Sequence, residues 1–303
     1  MTDLIGDIHG YADELEALLQ KMGYRKKNGA YSHPERKVLF VGDYIDRGPK
    51  IRETLEIVKA MSDTGNAVAL MGNHEYNALC YHHRYENGTH LREHSFKNKN
   101  QYQATLDQFQ NDEKGLNDYL NWFMTLPIYY ETSKFRAVHA CWDNENIDLL
   151  RKSLTNDRLT KETLRETVKI GSPLNNAIDQ SLKGKEADMP KGQFLIDKDG
   201  TRRDKFRIKW WENPAKMTYK KISVLKDDSL PNDEITVDDL KSKNFYSPYE
   251  KKVFFGHYWL KGEPMLYRNN ICCLDYSVAK EGKLVAYRLD DENHLDERKF
   301  VIV

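Results

Sequence analysis

The 303-residue chain predicts an α/β protein with parallel strands in its first third. Two observations predict it: short apolar runs alternate with amphipathic helical stretches, and each of these runs stops at a glycine followed by Asp or Asn. The first element is "DLI", a strand running into Gly6. "YADELEALLQKMG" then sets Leu15, Leu18, Leu19 and Met22 on one helical face, and Gly23 stops the helix. "KVLFV" is a second strand, leading to Gly42, and "KIRETLEIVKAM" places Ile51, Leu55, Val58 and Met61 in helical register. "NAVALM" is a third strand, leading to Gly72. Strand, helix, strand, helix, strand is the order of a parallel layer. After "GNHEYNALCYHHRYE" a polar stretch runs to about Lys99, a helical one ends in "LNDYLNWFM", and "FRAVHA" is a fourth strand. Residues 143–252 are highly charged, with helical segments and a hairpin in which "DKDG" separates "GQFLI" from "FRIKWW". From Lys252 the character turns to β, through "KVFFGHYW", "NNICCLDYSV", "KLVAYRL" and "KFVIV".

Bulk composition narrows the function classes. Lys plus Arg and Asp plus Glu both number 47, so anion binding has to be local, and neither nucleic acid nor a membrane surface is favoured as a partner. The apolar runs are too short for a membrane span. "TDLIGDIHG" begins at Thr2 and leaves no room for a secretory leader. The four cysteines form no CxxC pair and fit buried thiols of a cytoplasmic protein.

Chemistry concentrates where the strands end. "LIGDIHG" supplies Asp7 and His9, "FVGDYIDRG" supplies Asp43, Asp46 and Arg47, and "LMGNHE" supplies Asn73 and His74. "FRAVHA" adds His139 and "VFFGHYW" adds His257. Ligands of α/β folds bind at the carboxyl ends of strands, so these groups are expected to converge. Gly6, Gly42, Gly72 and Gly256 each precede one of them, and glycine permits a sharp exit and close backbone approach. Two carboxylates, one amide and three imidazoles (Asp7, Asp43, Asn73, His9, His139, His257) form an oxygen–nitrogen set for Mn²⁺, Fe or Zn²⁺. Six ligands exceed one tetrahedral ion and suit two ions roughly 3.5–4 Å apart, bridged by one carboxylate. Asp43, on a strand between the other two, is the expected bridge. Taken singly, "GDIHG" could be a turn, "GNHE" a helix cap, and His139 or His257 a core histidine. Together, in this order, they make a site.

"GDIHG", "GDYIDRG" and "GNHE", followed by two isolated histidines after strands, resemble the calcineurin-like metallophosphoesterases. Within these they are similar to the branch of protein serine/threonine phosphatases and diadenosine tetraphosphatases. The resemblance covers residues 1–83, 116–142 and 252–290. It implies a four-layer α/β/β/α sandwich of two mixed sheets with a dinuclear metal site. The whole chain, 1–303, would then be one such domain, with a cap-like subdomain inserted at about 143–252. It assigns Asp7, His9 and Asp43 to one divalent ion, and Asp43, Asn73, His139 and His257 to the other, with Mn²⁺ first among the candidates. His74 would be the proton donor, Asp46 its orienting partner and Arg47 a phosphate contact. Three departures stand out. His139 is followed by Ala-Cys-Trp, "LDYS" replaces the usual "LDTG", and the second substrate-binding arginine has only Arg207 as a candidate.

The expected function is a metal-dependent phosphomonoesterase, acting on phosphoprotein, nucleotide or small phosphate esters through a metal-bridging hydroxide. The alternative is a dinucleoside polyphosphate hydrolase. A non-catalytic scaffold would have lost ligands or the proton donor, and none is missing. "RRDKFRIKWW" permits a nucleic-acid end phosphatase but fits a hairpin packing its tryptophans better. His82, His83, His90 and His94 are read as non-ligands in a solvated helix and loop. Residues 143–252, lying between His139 and His257, are positioned to wall the metals.

Overall fold

A computed structural model describes residues 1–196, 202–224, 229–236, 239–240 and 244–303. Strand β1 (Thr2–Ile5) is followed by helix α1 (Ala12–Lys21), which buries Leu15, Leu18 and Leu19 on its apolar face. Next comes a hairpin that the periodicity does not announce, β2 (Arg25–Lys27) and β3 (Ala30–Ser32). Its turn is Asn28-Gly29, both at positive φ, the two-residue connection that matches strand twist. Strand β4 (Lys37–Phe40), helix α2 (Ile51–Asp63) and strand β5 (Ala67–Ala69) complete the expected alternation. α2 buries Ile51, Leu55, Val58 and Met61, as its spacing predicts.

Helix α3 (Asn73–His82) starts directly after Gly72. Helix α4 (Phe96–Gln108) begins earlier than the polar composition suggests, because the Ser95 hydroxyl caps it by accepting from the Asn98 N–H. Helix α5 (Glu113–Phe123) leads to β6 (Tyr129–Glu131) and β7 (Phe135–Val138). Helices α6 (Asn144–Ser153), α7 (Lys161–Thr167) and α8 (Pro173–Lys183) come after these, then β8 (Glu186–Asp188), β9 (Leu195–Ile196), β10 (Arg202–Arg203), β11 (Lys205–Arg207) and the short α9 (Tyr219–Ile222). The chain ends in β12 (Lys252–Phe255), β13 (Ile271–Cys273), β14 (Asp275–Tyr276), β15 (Lys283–Leu289) and β16 (Phe300–Ile302).

Ten of these strands form two mixed sheets, and the other six pair two by two as β2–β3, β8–β11 and β9–β10. The first runs β14-β15-β1-β4-β5 with β16 on β15, so β4 lies between β1 and β5 as expected. The second runs β13-β12-β7-β6. Register decides where the site falls: Ile5 lies beside Phe40, and Phe40 beside Ala69, in parallel pairs. The three strands therefore end level, and their three exit loops emerge at one edge. The sheets pack face to face through Phe254 and Tyr287, whose rings lie 5.3 Å apart. The next residue, Phe255, points to the opposite face and meets Trp210 and Trp211. Both tryptophans are buried, so they pack as core and offer no platform for stacking bases.

The inserted stretch divides in its packing. α6, α7 and α8 contribute Ile147, Leu150, Leu164, Ile178 and Leu182 to the main core. Ala187, Phe206, Ile208, Tyr219 and Ile222 belong to a smaller separate cluster. The expected hairpin has different partners: β9 pairs with β10, while β11 pairs with β8. The "DKDG" turn lies outside the described residues. The four cysteines are free and buried, and among the described residues no helix is long and apolar enough to cross a membrane.

Candidate active site

Around the expected site, His9, Asp43, Asp46, Arg47, His257 and Trp259 hold left-handed backbone, with φ from 49° to 72°. Each costs on the order of 1 kcal/mol, so the surroundings must impose it. The Glu75 carboxylate is one such constraint. It accepts from the N–H groups of Gly72, Asp43, Tyr44 and Ile45 at 2.8–3.3 Å, tying the loop after β4 to the start of α3. Two of the glycines serve close approach. A Cβ on Gly256 would stand 1.9 Å from Asp7 Oδ1, and one on Gly72 would stand 2.2 Å from Asp43 Oδ1.

The expected groups do converge. Asp43 Oδ2 lies 3.6 Å from His9 Nε2, 3.9 Å from His74 Nε2 and 3.4 Å from His139 Nε2. Asn73 Oδ1 lies 3.1 Å from His139 Nε2 and 2.7 Å from His257 Nδ1. The Asp7 Oδ2 atom accepts the His257 backbone N–H at 3.0 Å, linking the two sheets. Two trios that could each hold a cation share Asp43: His9, Asp43 and His74, and Asp43, His139 and His257. His74 thus falls within reach of the first trio, although its expected role is proton donation.

The donor set fits cations. The Nδ1 atoms of His9 and His139 face the carbonyls of Ile45 and Val41, which fixes those protons and turns the Nε2 lone pairs inward. His9 Nε2, His257 Nε2 and Asp7 Oδ1 are buried with no hydrogen-bond partner. Burial, then the nearby charge of His74, lowers the pKa of His9 to about 3. His257 is driven well below the usual histidine range by burial, then by the charge of Arg207. Burial and the negative charges of Asp275 and Asp43 push the Asp7 carboxyl well up. Burial alone would raise Asp43 too, yet His139 and His74 hold it well below the ordinary carboxylate range. His9 and His257 held neutral, beside an Asp43 carboxylate stabilised by positive charge, are the surroundings a divalent ion suits.

His74 differs from the other imidazoles. Its Nδ1 lies 2.5 Å from the Asp46 carboxylate, not on a carbonyl. Burial lowers its pKa, but Asp43 and the Asp46 bond outweigh that and the net shift is upward. Asp46 is itself held by Thr105 of α4, whose hydroxyl donates to Oδ1 at 2.5 Å and accepts the Asp46 N–H at 3.1 Å. Replacing Thr105 by Val frees the carboxylate to rotate and leaves a buried N–H unpaired. The expected result is a kcat lowered roughly 10-fold, with Asp46 and His74 unmodified. An unchanged kcat in the Thr105→Val enzyme would remove α4 from the site.

Sequence reasoning missed four residues here. Glu75 read as a helix cap, and Thr105 lay in a stretch without a motif. Trp259 and Asp275 stood in view but drew no role, although the Trp259 N–H donates to Asp275 Oδ2 at 2.6 Å. "LDYS" was visible as a departure, and its aspartate proves to shape the loop that carries His257.

A cleft of about 640 Å³ opens beside the cluster, lined among others by Arg47, His74, His257, Trp259, Arg203 and Arg207. Arg202 instead pairs with Asp204, and Trp210 and Trp211 lie in the core. Of the histidines after α3, His82 meets the Tyr102 hydroxyl and His94 stacks on Tyr81 at 3.6 Å. None of His82, His83, His90 and His94 joins either trio.

Fold and site define a class: an α/β protein with a buried cluster of donors that could hold cations where its strands end. The calcineurin-like phosphoesterase family matches residues 2–261, and the chain belongs to that family. It is 31% identical over 189 residues to a bis(5'-nucleosyl)-tetraphosphatase PrpE (asymmetrical) of Bacillus subtilis, covering 60% of this chain and 75% of the relative. A protein of the same name from Halalkalibacterium halodurans is 47% identical over 73 residues, 24% of this chain and 30% of that relative's length. The fold is similar to a protein serine/threonine phosphatase from Saccharomyces cerevisiae, at TM-score 0.49 and 15% identity, over 100% of this chain and 78% of that one.

Proposed function

We propose that the protein is a metal-dependent phosphoester hydrolase acting foremost on phosphomonoesters of proteins, nucleotides or small molecules. The observation that carries this reading is the buried donor cluster around Asp43, flanked by the His74–Asp46 pair and by exposed Arg47. Asp7, His9 and Asp43 would hold one divalent ion, and Asp43, Asn73, His139 and His257 the other, with Mn²⁺ the first candidate and Fe or Zn²⁺ the alternatives. When bound, such ions neutralise phosphoryl oxygens and acidify water to a nucleophile at neutral pH. The Arg47 guanidinium grips two phosphoryl oxygens in its planar fork and orients the ester for in-line attack. His74 gives its Nε2 proton to the leaving oxygen. Asp46 keeps that imidazole charged and aimed, so the alcohol departs neutral. The buried free thiols agree with a cytoplasmic setting.

The inserted residues 143–252 act in this reading as a cap-like subdomain that selects the leaving group. Arg207→Ala should raise KM for a natural-size substrate several-fold more than for a small aryl phosphate. Equal KM changes for the two would move specificity to the core loops.

A second reading has a specific observation behind it. The relatives are named for dinucleoside tetraphosphates, and Arg203 and Arg207 extend positive charge beyond one phosphoryl group. Comparing kcat/KM of the manganese-loaded chain on a phosphopeptide, p-nitrophenyl phosphate and diadenosine tetraphosphate decides between the two. Preference for the monoesters supports the first reading, and preference for the dinucleotide supports the second. Hydrolysis of none of them removes both.

A further inference from the structure

We infer that Trp259 is a positioning residue for Arg47, stacking on the guanidinium so that its N–H fork is aligned before a phosphoryl group arrives; this rests on the reading of Arg47 as the phosphate contact. The Arg47 Cζ lies 4.2 Å from the centroid of the Trp259 ring. The Lys280 ammonium lies 3.7 Å from the same ring, and the His9 imidazole 5.5 Å from it. One half-buried indole thus meets the arginine, a second cation and an imidazole of the donor cluster.

The indole is held firmly. Its backbone is left-handed, at φ 54°, which a bulky side chain seldom adopts. The buried Asp275 carboxylate imposes this by accepting the Trp259 N–H at 2.6 Å and the Ser277 N–H at 2.9 Å. The arginine needs such support: Arg47 is exposed, and a free guanidinium on its flexible stem loses rotamer freedom when it binds. Stacking removes part of that freedom beforehand. A cation–π contact also takes no hydrogen-bond acceptor, so it leaves the N–H groups for phosphoryl oxygens. A hydrogen-bonding partner would have consumed some of those donors. Sequence separation hides the pair, since Trp259 lies two residues past His257 and Arg47 lies in the second motif.

The test is a mutant cycle on the full-length, manganese-loaded chain: Arg47→Ala, Trp259→Ala, their double variant, Trp259→Phe and Trp259→Leu. The readouts are the Kd of inorganic phosphate by calorimetry, KM and kcat for p-nitrophenyl phosphate, and bound metal per chain. Trp259→Ala is expected to weaken phosphate binding and raise KM by roughly 3- to 30-fold, the range of a cation–π contact, with a smaller change in kcat. The double variant should be no worse than Arg47→Ala. Trp259→Phe should recover most of the loss, whereas Trp259→Leu, which fills space without a π face, should not. Losses that multiply in the double variant, or full rescue by Leu, overturn the positioning role and leave Arg47 as phosphate contact intact. Unchanged phosphate affinity in Arg47→Ala overturns the reading of Arg47 itself and the inference with it.

Discussion

Replacing His74 by Asn lowers kcat by roughly 10²–10⁴, the range lost with a general acid, while bound metal stays near the wild-type level. That corresponds to ~3–5 kcal/mol of transition-state stabilisation. The geometry supplies the reason. His9 and His139 direct one nitrogen at a backbone carbonyl, while His74 directs Nδ1 at the Asp46 carboxylate 2.5 Å away, and Asp43 together with that bond raises its pKa despite burial. A carboxylate partner favours the imidazolium, which has a proton to give and no lone pair for a cation. The loss must therefore depend on the leaving group. Alkyl phosphates, which release a strongly basic alkoxide, should show all of it, and p-nitrophenyl phosphate should show little. Equal losses on both ester types, or a matching fall in bound metal, would place His74 among the ligands of the first trio instead.

Replacing Asp43 by Asn removes the one group shared by both trios. Its Oδ2 lies within 3.4–3.9 Å of three imidazole nitrogens, and its Oδ1 accepts the His74 N–H at 3.0 Å. The amide keeps the shape and loses the charge. Metal-ion stabilisation of a phosphoryl transition state is worth several kcal/mol, so kcat/KM should fall by roughly 10³-fold or more at fixed manganese concentration. Affinity for both ions should weaken together, because the lost carboxylate belongs to both. An Asp43→Asn enzyme that keeps two ions tightly and turns over near the wild-type rate would remove the shared-carboxylate reading.

Much of this was legible in the chain because periodicity and chemistry break at the same places. Asp7, Asp43 and Asn73 each stand one residue past a glycine that closes an apolar run, and register alone brings those ends level. On the second sheet His257 follows Gly256 and His139 directly follows Val138 at the end of β7, and parallel register brings those two ends level as well. The supporting groups were hidden for a physical reason. Thr105 reaches Asp46 across 59 residues from a helix with no apolar signature, and Asp275 reaches the loop of His257 from a short strand. Glu75 has the spacing of a helix cap, and its four backbone partners exist only once the β4 loop folds over α3. The insertion was hardest to read: its tryptophans join the core of the second sheet, while β11 pairs with β8, not with the strand beyond the expected turn.

Metal reconstitution of the wild-type chain tests the central claim most directly. Protein stripped with a chelator is titrated with Mn²⁺ while hydrolysis of p-nitrophenyl phosphate and bound metal are measured together. Two ions per chain built around Asp43 predict no turnover in the stripped protein, and activity that rises to a plateau at about two equivalents. Turnover without metal, or a plateau reached with a single bound ion, would contradict it.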